Sequence, residues 1–479
     1  MSGNLKTWSI DWFFLFFAIV SAALFLAGSR NLLLRLFCPF QVNQGEAINV
    51  EFARLIHSSS SLYHDPSQAP YLYAAYPPLF PILQNYLGIF LNGPWFPGRL
   101  LALSGYLGCA LALGYWGFRN WNRMATLALG SLFLLSPTWA SWGSMVRTDT
   151  LMIFLGFITF LILSLFEQEK EDGKKSNESI LLMAGSLTAI SILLKQNGAL
   201  SALAYGAYCV YKKNWRNLGL FSIFALAPVL LVTVYLQWAT QGWYLKYTLL
   251  WVPFGFEPAL LFHYLSQGFL TECGWLAAGV LLTCWLRKTS LWSKFRLAFS
   301  VLLLLGLVRE ASAENYFLEF LLYGIYFLGE GWARMEPSRK SKPEINPKFI
   351  FSALMISGFL SFNLTQWPHG PSVEEQDMKA AVSIIYRGPG EHLALDLDLP
   401  LITGKRLWVQ PLEYTHMIEK GIWSVEPLLN DIRSKKFSTI ELYDIPKQYL
   451  LPLSVVEEIH RNYHPEIKKY GRIWLAPNG

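Results

Sequence analysis

The sequence predicts an all-α polytopic membrane protein of about eleven transmembrane helices, followed by a small extracytoplasmic α/β domain at the C-terminus. Of the 479 residues, 53% are hydrophobic and only 15% are charged. A soluble globular chain carries roughly 25% charged residues, so most of this surface is predicted not to face water. Long apolar runs, such as residues 12–27 and 150–166, almost lack ionisable groups. A helix that spans a bilayer needs about 20 mainly apolar residues, and these runs approach that length.

The predicted spans are apolar runs separated by short polar loops. They lie near residues 11–31, 99–118, 124–142, 149–166, 179–194, 197–211, 218–237, 269–286, 297–309, 315–332 and 348–366. Lys and Arg are about four times as frequent in one set of alternating loops as in the other, and loops of the basic kind face the cytoplasm. One such loop is predicted to hold Lys294 and Arg296. The N-terminus is therefore predicted inside and the C-terminus outside. The same bias accounts for the net charge of +6, which does not indicate nucleic acid.

Two segments are too long and too polar to be turns, and they divide the chain. Residues 1–366 are predicted to form a transmembrane domain that includes a first external loop at 38–98, and residues 367–479 a soluble extracytoplasmic domain. Periodicity in this tail predicts an α/β fold, with strands at 392–399, 439–444 and 472–476 and helices at 423–433 and 453–460. Asp396 and Asp398 resemble a metal-binding pair. Leucines alternate with them, so both are predicted on the water-facing side of the first strand.

The first external loop holds a polar residue of particular interest, Glu46. Apolar residues at 48, 52, 55 and 56 share one side of a helix that starts there, and an amphipathic helix of this kind suits the membrane surface. Residues 71–81, rich in tyrosine and proline, predict a rigid aromatic wall that includes Tyr76. Glu46 has two interpretations: it caps the helix together with Asn43, three residues earlier, or it is a catalytic carboxylate. Glu51, one turn further on, is predicted to be solvated.

Two charged pairs are predicted at outer ends of spans, where unpaired charge is costly. Arg147 and Asp149 open the fourth span; they form either a local ion pair or a phosphate-binding cation oriented by its neighbour. Lys195 and Gln196 lie at another outer helix end, where the lysine either extends to the membrane surface or binds phosphate. For both pairs the sequence leaves the structural and the functional interpretation open.

A third polar group opens the tenth span. Asn315 and Glu319 are four residues apart and so share one helix face, with Tyr316 beside them. Glu319 lies about one turn inside an apolar run, where an unpaired carboxylate would be costly. It is therefore either a functional carboxylate or the partner of a basic group on a neighbouring helix.

In six blocks that follow one another over residues 10–330, the chain resembles bacterial members of the GT-C glycosyltransferase superfamily. The blocks are GEAINVEFARLIHSSSSLY, YAAYPPLFPIL, FPGRLLALSG, MVRTDTLM, LLKQNGAL and ENYFLE. The similarity is greatest to the family 39-like proteins related to protein O-mannosyltransferases and the lipid A aminoarabinose transferase. The resemblance implies a fold of many helices, a catalytic acid on the first external loop, a polyprenyl-phosphate sugar as donor and an inverting mechanism.

The resemblance also implies roles for single residues. It makes Glu46 the first-loop acid and hence the general base. It implies substrate binding by Tyr76 of the aromatic wall and by the other matched residues. The matched residues are Arg147, Asp149, Lys195, Gln196, Asn315, Tyr316 and Glu319. One departure bears on the base: many members have an aspartate, often as Asp-Glu, where this chain has Gly45 and Glu46.

The predicted function is transfer of a hexosyl or pentosyl group from a polyprenyl-phosphate donor to a hydroxyl of a glycan, lipid or protein, at the bacterial inner membrane. No nucleic-acid partner is expected. The sequence requires no cofactor, and a divalent metal is neither demanded by a ligand cluster nor ruled out. Two other classes remain open: a transporter or flippase for lipid-linked sugars, and a non-catalytic subunit of a polysaccharide-export complex. A transporter would not need the long first loop or the external tail.

Overall fold

The computed structural model describes residues 5–478 except 44, 122, 174–176, 287–288, 311, 335–346, 363–367, 369–378, 380–388, 445–449 and 470–471. Sixteen helices precede the tail within this part of the chain. The first eight are α1 Leu5–Leu36, α2 Glu46–His57, α3 Leu79–Phe90, α4 Phe96–Asn120, α5 Arg123–Leu135, α6 Pro137–Trp142, α7 Asp149–Glu171 and α8 Ser179–Leu194. The next eight are α9 Ala199–Tyr211, α10 Trp215–Ala239, α11 Trp243–Leu245, α12 Pro258–His263, α13 Leu270–Trp285, α14 Leu291–Leu303, α15 Phe317–Ala333 and α16 Pro347–Ser361.

Each of the eleven predicted spans is helical over most of its described residues, and the predicted polytopic fold class is confirmed. The span at 124–142 is two helices, because Pro137 starts α6 and Ser136 caps it by accepting from the Trp139 amide. Six helices of the described residues are long and apolar enough to cross a membrane: Leu15–Leu36, Phe96–Asn120, Asp149–Glu171, Trp215–Ala239, Pro258–Trp285 and Leu291–Val308. The last residues of the eleventh span lie outside the described residues.

Helix α15 is at the centre of the bundle. Every residue from Phe317 to Trp332 is buried, which requires protein neighbours on all sides. Helices α4 and α7 pack backbone to backbone, since a Cβ on Gly105 would overlap the main chain at Thr150 and Leu151. Close approach through small residues is a common way for membrane helices to associate.

The tail folds as an α/β unit, as predicted. Among the described residues of the tail, four strands form one sheet in the order β1-β2-β4-β3, with β1 and β2 parallel and the other neighbours antiparallel. The strands are β1 Glu391–Leu393, β2 Phe437–Tyr443, β3 Tyr463–Lys469 and β4 Arg472–Pro477. The helices are α17 Asp398–Ile402, α18 Pro411–Glu419, α19 Glu426–Arg433 and α20 Leu453–Asn462. The sequence did not predict β3, α17 or α18, and the proposed domain boundary at 366 lies among undescribed residues.

The prediction for Asp396 and Asp398 was wrong. Strand β1 ends at Leu393, and both carboxylates are buried rather than facing water. Asp396 pairs with Arg472 at 2.5 Å, and Asp398 pairs with Lys379 at 2.6 Å. Both aspartates also accept from Gln41, which joins the tail to the first loop. Alternating leucines therefore marked a buried polar junction rather than a solvated strand.

The tail and the first loop lie together at one end of the bundle, called here the loop end. Main-chain bonds join the two segments: the Tyr71 amide donates to the Trp408 carbonyl, and the Gln410 amide donates to the Tyr71 carbonyl. Arg406 also donates to the Ala69 carbonyl. The sequence predicted both segments on the same, external side of the membrane. Their common location agrees with that topology, while the assignment of this side to the exterior stays a prediction.

Candidate active site

Glu46, the first residue of α2, forms a fully buried ion pair. Its side chain is fully buried, and both carboxylate oxygens accept from the Arg99 guanidinium, at 3.0 and 2.9 Å. The amides of Val42 and Val146 donate to the same two oxygens, each at 2.6 Å. Arg99 is fully buried as well, and it donates further bonds to three main-chain carbonyls, those of Arg35, Cys38 and Phe40. Glu46 therefore ties α4, the first loop and the α6–α7 connection together.

The predicted side-chain cap of α2 is not observed. Gly45 precedes the helix, and the Glu46 side chain reaches the Val42 amide instead of the Asn43 amide. The Asn43 side-chain oxygen accepts from the Gly45 amide at 3.1 Å and from Arg147 at 2.9 Å. The capping interpretation of Glu46 was therefore wrong, because no side chain caps α2 and the two main-chain amides that Glu46 binds lie outside this helix.

Arg147 occupies the space beside Gly45. A Cβ added to Gly45 would overlap the Arg147 guanidinium, so no side chain fits there while the arginine keeps its position. The guanidinium also lies 5.5 Å from the centre of the Trp142 ring. Arg147 is half-buried. It is therefore not locked into a local pair with Asp149.

Asp149 instead forms the centre of a buried polar cluster at the loop end. Its Oδ1 accepts from Lys195 Nζ at 2.6 Å and from Asn315 Nδ2 at 2.9 Å. The Lys195 ammonium lies 4.8 Å from the centre of the Tyr76 ring, and Tyr76 is 39% exposed while Lys195 is only 5% exposed. Tyr316 is close enough to interact with the charges of Lys195 and Asp149. Five of the residues that the sequence singled out, from four separate segments, thus meet in one place.

Helix ends explain why this cluster forms. Asp149 is the first residue of α7, Lys195 follows the last residue of α8, and Asn315 precedes α15. Gln196, next to the lysine, donates to the carbonyls of Ala75 at 2.7 Å and Thr248 at 3.1 Å. It therefore holds the aromatic wall, and Tyr76 with it, against the cluster.

Comparison of the whole chain with solved structures identifies its fold. No model of a known protein family and no curated protein matches the sequence. ArnT from Cupriavidus metallidurans in the apo state is similar in structure, with a TM-score of 0.64 and 13% identity over 95% of this chain and 97% of that one. The same protein bound to undecaprenyl phosphate gives a TM-score of 0.64 and 13% identity over 99% and 98%. The archaeal oligosaccharyltransferase AglB from Archaeoglobus fulgidus, in complex with an inhibitory peptide and a dolichol-phosphate, gives 0.57 and 10% identity over 98% and 74%. The chain has the GT-C glycosyltransferase fold.

One residue that the sequence placed in the site lies elsewhere in this GT-C bundle. Glu319 is buried and pairs with Arg296 of α14 at 2.5 Å, and the Arg296 guanidinium packs 3.7 Å from the centre of the Tyr323 ring. Glu319 is therefore the partner of a basic group on a neighbouring helix, which is one of the two alternatives that the sequence left open. The placement of Arg296 in a cytoplasmic loop was wrong, because it lies within α14 and is 1% exposed.

Glu51 is another residue whose environment the sequence did not predict. It was expected to be solvated, yet it is 3% exposed beneath the tail, and it lines a cavity of about 780 Å³ between α2, α3 and the tail. Burial raises the pKa of its carboxyl to about 7, while Arg54 and the Leu407 amide act in the opposite direction. The Lys195 cluster does not line this cavity.

Sequence reasoning also missed Arg99 as a functional candidate. A usable signal was present, since an arginine at the fourth position of an apolar helix requires a partner. No group of three or more His, Cys, Asp or Glu among the described residues could hold a metal ion.

Proposed function

We propose that the chain is an inverting glycosyltransferase that moves a sugar from a polyprenyl-phosphate donor to a hydroxyl acceptor on the extracytoplasmic face of a bacterial inner membrane. The observation that carries this proposal is the buried Lys195 ammonium, held by Asp149 beside the partly exposed Tyr76 at the loop end. The GT-C fold supports the reaction class. ArnT bound to undecaprenyl phosphate and AglB bound to a dolichol-phosphate support a donor of this lipid class.

Lys195 is suited to a lipid phosphate for electrostatic reasons. A cation that is nearly excluded from water interacts with an anion far more strongly than an exposed one does. Asp149, which also accepts from Asn315, fixes the ammonium in advance, so little reorganisation accompanies the build-up of charge on a leaving phosphate. The half-buried Arg147 is a second cation on the neighbouring loop. The cluster thus supplies the charge stabilisation that a phosphate leaving group needs.

We assign a positioning role to Glu46. A general base must come within hydrogen-bond reach of the proton that it accepts. Both Glu46 oxygens already accept two donors each, and the residue is fully buried, so an acceptor hydroxyl would have to displace Arg99 or a main-chain amide. Holding the start of α2 against α4 keeps the aromatic wall over Lys195. The base role that the sequence assigned to Glu46 stays open to the mutational test described below.

Binding of the bare lipid phosphate tests the cation site. Purified wild-type protein should bind polyprenyl phosphate, measured by quenching of its tryptophan fluorescence, and Lys195→Met should weaken that binding by about 10-fold or more, as expected for a lost charge-assisted contact. Since Lys195→Met leaves Asp149 without its cation, the neutral double variant Lys195→Met/Asp149→Asn is measured in parallel. Lys246→Met is the matched control, because Lys246 is also on the outer side but packs against Trp243. Equal binding by all four proteins would contradict the proposal.

A transporter or flippase would share the spans and a cation for lipid phosphate. The two classes differ in the fate of the sugar, because a transporter leaves the sugar–phosphate bond intact. Free polyprenyl phosphate released from the labelled donor therefore favours the transferase, and translocation without its release favours the transporter.

A further inference from the structure

The proposed reaction needs a group that accepts the acceptor's proton, and the site carboxylates described above are already engaged. Glu46 binds Arg99 and two amides, Asp149 binds Lys195 and Asn315, and Glu319 binds Arg296. The departure from the Asp-Glu pattern removes a further candidate, because position 45 is a glycine whose side-chain space is filled by Arg147. A carboxylate from another part of the chain, near Arg147 and the aromatic wall, is therefore a candidate for this role.

The tail supplies one. Helix α18 begins at Pro411, directly after the segment that binds the first loop. The Gln410 side chain accepts from the Tyr73 amide at 3.1 Å, and the Gln410 amide donates to the Tyr71 carbonyl at 3.2 Å. Glu413 lies three residues after Gln410, about one helical turn further on, and so shares its face. The main-chain contacts thus aim Glu413 at the aromatic wall.

Groups from three segments lie within electrostatic range of the Glu413 carboxyl: Arg147 of the α6–α7 connection, Tyr73 of the aromatic wall and His416 of its own helix. His416 in turn lies 4.0 Å from Glu310. Tyr73 also interacts with Tyr76, whose ring covers Lys195. Glu413 is half-buried, whereas Glu46 is fully buried.

We propose that Glu413, carried by the tail domain, is the general base of this enzyme. The inference rests on the proposed function. The acceptor oxygen forms a bond to the anomeric carbon as the bond from that carbon to the phosphate oxygen breaks. The acceptor proton passes to the Glu413 carboxylate, and the electron pair of the broken bond leaves with the polyprenyl phosphate, whose charge Lys195 stabilises. The base and the phosphate site would thus come from different domains.

The environment of Glu413 fits this role. Burial raises the pKa of its carboxyl above the ordinary value, while hydrogen bonds from its own main chain and from the Gln410 side chain, and then the charges of Arg147 and His416, oppose the increase. A raised pKa makes a carboxylate a stronger base, which favours transfer of the acceptor proton to it. Arg147 would then stabilise the charge of the Glu413 carboxylate as well as binding Asn43 of the first loop. Its position beside Gly45 holds the guanidinium between the two.

Glu413→Gln in the full-length protein is the test, because it keeps the shape and removes the proton acceptor. Turnover of a labelled polyprenyl-phosphate sugar should fall about 100-fold or more, while polyprenyl phosphate binding and the melting temperature stay near wild type. Wild-type turnover should also rise with pH through the pKa of the base, and the variant should lose that rise. Glu419→Gln, an exposed carboxylate on the same helix, is the matched control and should keep normal turnover.

Two outcomes would overturn the inference. One is Glu413→Gln with wild-type turnover and an unchanged pH profile. If Glu413→Gln fails to fold, Glu413→Asp is measured instead, because it keeps the carboxylate. A folded Glu413→Asp protein whose turnover does not rise with pH is the second outcome that would overturn the role. An inactive wild type that binds donor would instead count against the proposed function itself.

Discussion

Glu46→Gln separates the positioning role of Glu46 from a catalytic one through its effect on stability. The substitution removes the charge that faces Arg99 and places an amide nitrogen toward an arginine or a main-chain N–H, so two donors oppose each other. Breaking a buried ion pair by removing one partner costs about 3–5 kcal/mol. Arg99 would keep three main-chain carbonyls as acceptors. The expected loss therefore lies at the low end, about 3 kcal/mol.

Thermal melting of the purified protein in detergent, followed by the fluorescence of its 19 tryptophans, measures this loss. Glu46→Gln should melt well below wild type, and Glu46→Gln/Arg99→Met should recover part of the difference because no buried charge remains unpaired. Asn43→Ala is the control, since it removes the Arg147 contact but spares the carboxylate. A Glu46→Gln protein that melts like wild type while its turnover falls about 100-fold would refute this reasoning and return the base role to Glu46.

Three further predictions concern other parts of the molecule. The pKa of Glu51 is about 7 in the folded protein and about 4.3 in an unfolded chain, so stability should decrease by up to about 3 kcal/mol as pH rises from about 4.5 to 7. Glu51→Gln should flatten that dependence in melting experiments at pH 5 and 8. Glu319→Gln should lower the melting temperature by leaving Arg296 unpaired, yet leave polyprenyl phosphate binding unchanged, and a selective loss of binding would contradict its structural role. Reporter fusions after residue 340 should be cytoplasmic and those at Gly479 external, and a cytoplasmic C-terminus would reverse the topology.

Composition and periodicity were enough to predict the bundle, because the bilayer requires helices of a narrow length range and leaves a charge bias in the loops. They failed where a buried charge has a distant partner. Arg296 was counted as a loop residue because its partner, Glu319, lies on another helix, and sequence spacing carries no information on that pairing. Glu46 and Arg99 are 53 residues apart in the sequence, and their pairing was missed for the same reason.

The polar cluster was partly predictable. Asp149, Lys195 and Asn315 each stood out at a helix end because polar residues there are costly unless they are paired. Which residue pairs with which depended on helix packing: Asp149 was expected beside Arg147, its near neighbour in sequence, and instead binds Lys195. The proposed contribution of the tail could not be predicted, since Glu413 has no distinguishing pattern in the sequence and the contacts of Gln410 place its helix at the loop end.

The most direct test of the account is a turnover measurement with purified wild-type protein in liposomes. A polyprenyl-phosphate sugar labelled in the sugar is supplied together with a membrane extract as the source of acceptor, and a labelled nucleotide sugar replaces the lipid donor in a parallel reaction. The account predicts that label moves from the lipid donor to an acceptor with release of polyprenyl phosphate, and that none moves from the nucleotide sugar. Transfer from the nucleotide sugar alone, or an intact lipid donor after prolonged incubation with folded protein that binds it, would contradict the account.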